Sequence, residues 1–360
     1  MSNPVAPQRM MGRIEPMLEF TPHPLLRNAH AMTVAAAILP RRAPRLPPAV
    51  NRLFEVEAGT QLLARCHWQE QPREHATLVL VHGLEGSSES PYMRTLAEKA
   101  FLAGGNVLRV NQRNCGGTER LTPALYNSGL SGDYRAILGE LLARDKLPAV
   151  FFAGYSMGGN LVLKMAGEWG ASAPAELRGV CGVCPTLDLA ACVDALAAPG
   201  NGLYEWHFVR GLKARMRRKA RWFAGRYDLS GMDGLRTVRE FDDVITAPYS
   251  GYRDAVDYYH RASAVRVARA ISVPTLIITA QDDPFVPFGS FQVPDIASNA
   301  HIRLLAPERG GHCGFISRAG GTERYWAEAR VVEFVSDHAA AGAAAIDHSM
   351  RSATSERPLT

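Results

Sequence analysis

Cysteine is scarce in this chain: six in 360 residues cannot supply a disulfide framework, and a reducing, cytoplasmic setting is expected. Two of them form Cys181-Gly182-Val183-Cys184, but this spacing lies in an apolar, strand-like run with no second pair, so neither a zinc site nor a redox motif is expected from it. Long apolar runs are also missing. The longest near the N-terminus, 31–39, is about half of the ~20 residues that cross a bilayer, and no signal-peptide core precedes it. A large excess of one charge sign is missing, since Lys+Arg 40 against Asp+Glu 35 leaves +5 over a large surface, which argues against a nucleic-acid partner. No HExxH, P-loop or GxGxxG occurs, so zinc peptidase, P-loop nucleotide and dinucleotide chemistry are not first choices, and no cofactor or metal is expected. What is present is 47% hydrophobic against 21% charged residues, the balance of a globular chain able to bury a core.

Short β-branched runs at 52–56, 61–68, 76–81, 106–110, 149–153, 179–184, 274–279 and 302–305 read as strands. Amphipathic stretches at 92–102, 131–144, 159–169 and 323–338 read as helices between them. Such alternation predicts a mostly parallel sheet with helices on both faces. It stops between 188 and 269, where basic, aromatic and Asp-rich stretches read as a helical cap inserted between strands. The expected organisation is an N-terminal extension over 1–50, partly mobile, a core over 51–187 and 270–338, the cap over 188–269, and a flexible tail over 339–360 without periodicity.

Gly154-Tyr155-Ser156-Met157-Gly158 follows an apolar strand and opens a helical pattern, the context in which Gly-x-Ser-x-Gly acts as a nucleophile elbow. A serine hydroxyl is a weak nucleophile and needs a contacting base plus a carboxylate to orient that base. On this architecture the acid and then the histidine follow the serine in the chain. Asp282 and Asp283 end the apolar run 275–279 before a Pro-bounded turn, and His312 stands in a Gly-rich loop after the last strand. By analogy the acid stands immediately before the Asp-Pro turn, so Asp283 is favoured over Asp282. Two backbone N–H groups must also meet the developing oxyanion, and Leu84, after the third strand, and Met157, after the nucleophile, are the expected donors. His82 precedes the nucleophile and is read as a loop anchor, not a base.

These motifs together resemble the YheT-like hydrolases, family 4 of the α/β-hydrolase superfamily, which also contains acylglycerol and phospholipid lipases. The resemblance spans about residues 20–340. It rests on His82-Gly83-Leu84-Glu85-Gly86-Ser87 with Ser90-Pro91-Tyr92, on Arg113-x-Cys115-x-Gly117, and on Tyr126-x-Ser128-Gly129 with Asp133. Gly154 to Asn160, Gly310-Gly311-His312-x-Gly314-Phe315-Ile316, and the cap motifs at 239–246 and 251–259 complete it. It implies the α/β-hydrolase fold and a serine esterase or lipase acting on acyl esters, with Ser156, Asp283 and His312 at the family's catalytic positions. One departure is Asn114, where relatives usually carry Gly; Asn also tolerates a positive φ. Arg113 and Asp133 are read as a structural ion pair.

Within the cap, Trp206, Phe208, Tyr252, Tyr258 and Tyr259 are aromatics able either to pack in the core or to line an acyl pocket, with Trp206, Tyr252 and Tyr258 the candidates for substrate contact. The basic run Lys213 to Arg221 is either a solvated helix face or a surface for peripheral contact with an anionic membrane. Asp242 and Asp243 have no His or Cys companion and are not expected to hold a metal. The expected partner is a small-molecule acyl ester or lipid. Two rivals share the fold: an acyltransferase using the same triad, and a binding protein that has lost turnover.

Overall fold

In the computed structural model of the chain, residues 19–355 are described. The eight strands are β1 (Val50–Glu57), β2 (Thr60–His67), β3 (Thr77–Val81), β4 (Asn106–Val110), β5 (Val150–Tyr155), β6 (Leu177–Val183), β7 (Thr275–Ile278) and β8 (Ile302–Leu305). They form one sheet in the order β1-β2-β4-β3-β5-β6-β7-β8, with β1 and β2 antiparallel and every pair from β4 to β8 parallel. All eight overlap the apolar runs read from sequence. The helices are α1 (Ala29–Ile38), α2 (Pro91–Leu102), α3 (Ser131–Glu140), α4 (Met157–Trp169), α5 (Leu189–Leu196), α6 (Gly202–Trp222), α7 (Val238–Phe241), α8 (Ala255–Ala262), α9 (Pro294–Ala297) and α10 (Trp326–Ser355).

Because both faces of the sheet are covered, its central strands are apolar throughout and not alternating. In β3, Val79 and Val81 enter the cluster with Ile137 of α3 and Leu161 of α4, while Leu78 and Leu80 enter the opposite cluster with Leu96 of α2 and Val331 of α10. The chain passes from β3 to β4 on one side and then to β5 on the other side of β3, so strand order reverses at the β3/β5 pair. A crevice outside the carboxyl ends of strands at such a reversal is where ligands bind in open α/β sheets.

The segment after β6 leaves the sheet as α5 to α8 and rejoins it at β7. A third cluster, containing Leu212 and Met216 of α6, Phe241 of α7 and Ile245, packs on Tyr126 and Met157 and holds this cap by the carboxyl end of β5. Beneath the cap, Arg113 clasps Asp133 in a bidentate pair at 2.8 and 2.5 Å and reaches Glu57 at 2.7 Å, which is the structural ion pair expected. Asn114 adopts φ +66°, as the turn requires.

Both ends carry helix outside the stretches read as helices from sequence. Residues 29–38 form α1, capped by Asn28, whose Oδ1 accepts from the Ala31 N–H at 3.0 Å, and Met32 and Ala35 pack into the core. Beyond 339, where the sequence shows no periodicity, α10 continues to Ser355 through an alanine-rich stretch of high intrinsic helicity. The expected mobile residues 1–18 lie outside the described part. Among the described residues no helix is long and apolar enough to cross a membrane.

Candidate active site

Ser156 stands between β5 and α4 at φ +52°, ψ −118°, a conformation that costs a non-glycine residue of order 1–3 kcal/mol. Its backbone is held from both sides: the N–H donates to Val183 O at 2.8 Å, and the carbonyl accepts from Asn160 N at 3.1 Å. The flanking glycines are dictated by space. A Cβ on Gly154 would lie 2.1 Å from Gly158 O, and one on Gly158 would lie 2.4 Å from Val81 O. The loop after β3 runs against the serine, since a Cβ on Gly83 would sit 3.1 Å from the Ser156 Cβ.

The Gly83 N–H is consumed by the Tyr92 hydroxyl at 3.0 Å, so the next amide is that of Leu84. Met157 N is the first amide of α4 and has no acceptor within the helix. Among the described residues, neither the Leu84 nor the Met157 N–H has a partner. Both residues border the same cavity as Ser156. His82 is fully buried; its Nδ1 lies 2.8 Å from Gly83 O and its Nε2 accepts from Gln112 N at 3.1 Å. Burial lowers this imidazole to about 3, so it is neutral and committed to bracing the loop.

Asp283 and His312 come together from the loops after β7 and β8. His312 Nδ1 lies 2.8 Å from Asp283 Oδ2, and the carboxylate is fully buried. The other Asp283 oxygen accepts from Phe285 N at 3.1 Å and Val286 N at 3.0 Å, which fixes its orientation. Asp282 turns away, accepting from Gly311 N at 2.9 Å, and so braces the histidine loop without meeting the ring. Burial disfavours the imidazolium of His312, but the Asp283 charge and the adjacent Cys313 outweigh it and raise the group to about 10.

A support absent from the sequence-based expectations is α1. Thr33 Oγ1 accepts from the His312 N–H at 2.8 Å, and a Cβ on Gly311 would strike Ala29 O and Thr33. Its signal was the capping Asn28 before an alanine-rich run.

Ser156 opens into a cavity whose exposed wall is mostly apolar, bordered by Leu189, Val193, Leu196, Phe208, Phe241 and Phe285. Of the five cap aromatics considered for it, Phe208, Tyr258 and Tyr259 border it, Tyr258 with its hydroxyl accepting from Ser128 N at 2.8 Å. Tyr252 does not: its ring packs 5.1 Å from Tyr258 and its hydroxyl lies against Gly129. Trp206 does not either and is 55% exposed. The reason is helical phase, because α6 turns Phe208, Leu212, Arg215, Met216 and Lys219 inward, leaving position 206 on the opposite side.

The same phase divides the basic run. Arg215 and Lys219 are buried at the cavity wall, where Arg215 pairs with Glu85 at 3.2 Å and Lys219 donates to Asn114 Oδ1 at 2.5 Å and to the carbonyls of Glu119 and Thr122. Arg217 pairs with Asp233, and Arg218 with Glu119 at 2.8 Å. Asp242 also borders the cavity, accepts from the Tyr259 hydroxyl at 2.8 Å, and is raised to about 6 by burial.

The Alpha/beta hydrolase family model matches residues 78–324. The Escherichia coli protein named "Putative esterase YheT" is 31% identical over 328 residues, covering 89% of this chain and 94% of its own length. The monoacylglycerol lipase of Saccharomyces cerevisiae is 29% identical over 259 residues, covering 70% of this chain and 57% of its own. Among solved structures, the Pyrococcus furiosus esterase Pf2001 superposes with a TM-score of 0.55 at 16% identity, over 83% of this chain and 98% of that one, a likeness of fold. With its parallel sheet, its strained serine after β5 and these relatives, the chain belongs to the α/β-hydrolase family, in its YheT-like group, and is a serine ester hydrolase.

Proposed function

We propose that Ser156, His312 and Asp283 form the catalytic triad, and that the substrates are uncharged acyl esters of the carboxylester or acylglycerol type. His312 takes the Ser156 proton as Oγ attacks the ester carbonyl, and the oxyanion is met by the N–H groups of Leu84 and Met157. The collapsing intermediate receives that proton on its leaving alcohol, and water then releases the acid from the acyl-enzyme by the same steps. The observation that carries this reading is the opening of Ser156 into an apolar cavity roofed by α6, whose charged members are already engaged. The names of the relatives, an esterase and a monoacylglycerol lipase, support the same substrate class.

Across p-nitrophenyl esters from acetate to palmitate, kcat/KM is expected to rise with chain length from acetate to a medium acyl group, since each buried methylene contributes about 0.8 kcal/mol. A steady fall beyond acetate would remove the acyl-pocket reading. On the outer side of α6, Leu203, Trp206, Arg210, Arg221 and Trp222 are exposed, which supports contact of the cap with an anionic lipid surface. Replacing Leu203, Trp206 and Trp222 with Ser should spare the soluble esters and lower hydrolysis of the same acyl chain in anionic vesicles. Equal loss on both would mean damage to the cap itself.

Only neutral His312 can accept the serine proton. A histidine raised in the folded enzyme therefore moves the acid limb of kcat/KM upward from the ordinary value of ~6.5. Cys313→Ser removes one source of the shift and should return the limb toward acid pH. A wild-type limb at or below 6.5 that Cys313→Ser leaves in place would contradict the assignment of that shift.

A further inference from the structure

Cys184 and Cys313, 129 residues apart, meet beside His312. Cys184 directly follows β6, is fully buried, and is anchored by its N–H on Ile278 O at 2.7 Å. The Cys313 N–H donates to the Cys184 sulfur at 3.2 Å, and both sulfurs and an imidazole nitrogen of His312 lie within 4.8 Å of one another. The partner of Cys184 is thus the residue after the histidine, and not Cys181 of the CxxC spacing. We propose that Cys313 is an oxidative modification site with Cys184 as its resolving thiol, and that a peroxide converts the pair to a disulfide that switches the enzyme off. The switching half rests on the functional reading above, whereas the disulfide half does not.

Burial opposes ionisation of Cys313, yet the Cys184 thiol and the His312 charge overcome it and lower the group to about 6. Burial pushes Cys184 upward, and it does the same to Cys66, Cys115, Cys181 and Cys192. Among the cysteines, Cys313 is therefore the one whose ionisation is favoured, in the form of the site that carries a protonated His312, and the thiolate is the form that reacts. Its sulfur attacks one peroxide oxygen, the O–O bond breaks, hydroxide leaves, and Cys313 becomes a sulfenic acid as the peroxide is reduced by two electrons. The Cys184 sulfur then attacks the sulfenic sulfur; the S–O bond breaks and the departing hydroxide takes the Cys184 proton as water.

An S–S bond of ~2.05 Å draws the sulfurs together from their present separation. Cys184 is fixed to the sheet, so the movement falls on the loop that carries His312 against Asp283. A misplacement of ~1 Å at such a site can cost about 10²-fold in rate.

The test treats the purified full chain, kept in EDTA, with hydrogen peroxide. Non-reducing peptide mass spectrometry should find a cross-linked peptide pair containing positions 184 and 313, two hydrogens lighter than the free thiols. Ester hydrolysis should fall at least tenfold and return with dithiothreitol. C313S should keep its own starting activity under peroxide, and C184S should stop at a Cys313 sulfenic acid trapped by dimedone. Should C184S fail to fold, the wild-type and C313S arms decide alone. Absence of the cross-link, or peroxide loss in C313S equal to wild type, overturns the proposal. A cross-link formed with activity unchanged overturns the switch. A cross-link in a protein whose Ser156 proves unreactive would keep the thiol pair and remove the triad.

Discussion

Replacing Ser156 with Ala is expected to lower kcat for a soluble p-nitrophenyl ester by about 10⁵- to 10⁶-fold, the loss seen when a serine nucleophile is removed from a cooperating triad. Stability should hardly change. Alanine occupies the same strained backbone that serine does, and the β5–α4 turn is held by main-chain bonds to Val183 and Asn160. A shift in unfolding free energy within about 1 kcal/mol is therefore expected from urea denaturation. Activity surviving at more than a few per cent of wild type would mean that another group carries the acyl transfer.

The second large effect separates two adjacent acids. Asp283→Asn keeps the size of a fully buried side chain but replaces the acceptor facing His312 Nδ1 with an amide that can present N–H there, favouring the wrong tautomer. A loss of about 10⁴-fold in kcat is expected. Asp282→Asn retains an oxygen able to accept from Gly311 N, so its loss should stay below about tenfold. Rates for the two variants under one set of conditions decide the matter; the opposite ranking would move the acid to Asp282.

These expectations were largely legible in sequence because the residues concerned stand at strand ends. Strands buried on both faces write themselves as apolar runs, so all eight could be placed; Ser156 follows β5 directly, and Asp283 and His312 stand in the loops after β7 and β8. What could not be read depended on phase and on distant partners. The run from Lys213 to Arg221 has the same spelling whether its charges face water or carbonyls. Only the fold places Glu119 O and Thr122 O, about a hundred residues earlier, where Lys219 reaches them. Trp206 and Phe208 differ by two positions, yet two positions on a helix separate a solvent face from a cavity wall. Residues 29–38 and those after Ala339 gave little amphipathic contrast because alanine dominates both, and their helices are revealed by a cap and by intrinsic propensity. The meeting of Cys184 with Cys313 is a product of sheet order, in which β6 stands next to β7 and the histidine loop folds back over both.

The central claim is that Ser156 is activated by His312 to carry the acyl group, and one measurement reaches it directly. A fluorophosphonate reacts covalently only with an activated serine. After stoichiometric labelling of the full chain, peptide mass spectrometry should locate a single adduct on Ser156, formed in step with loss of ester hydrolysis. The adduct should be absent in Ser156→Ala and slowed by orders of magnitude in His312→Ala. Ester hydrolysis persisting in a fully treated protein with Ser156 unmodified would contradict the account, as would an adduct on a different serine.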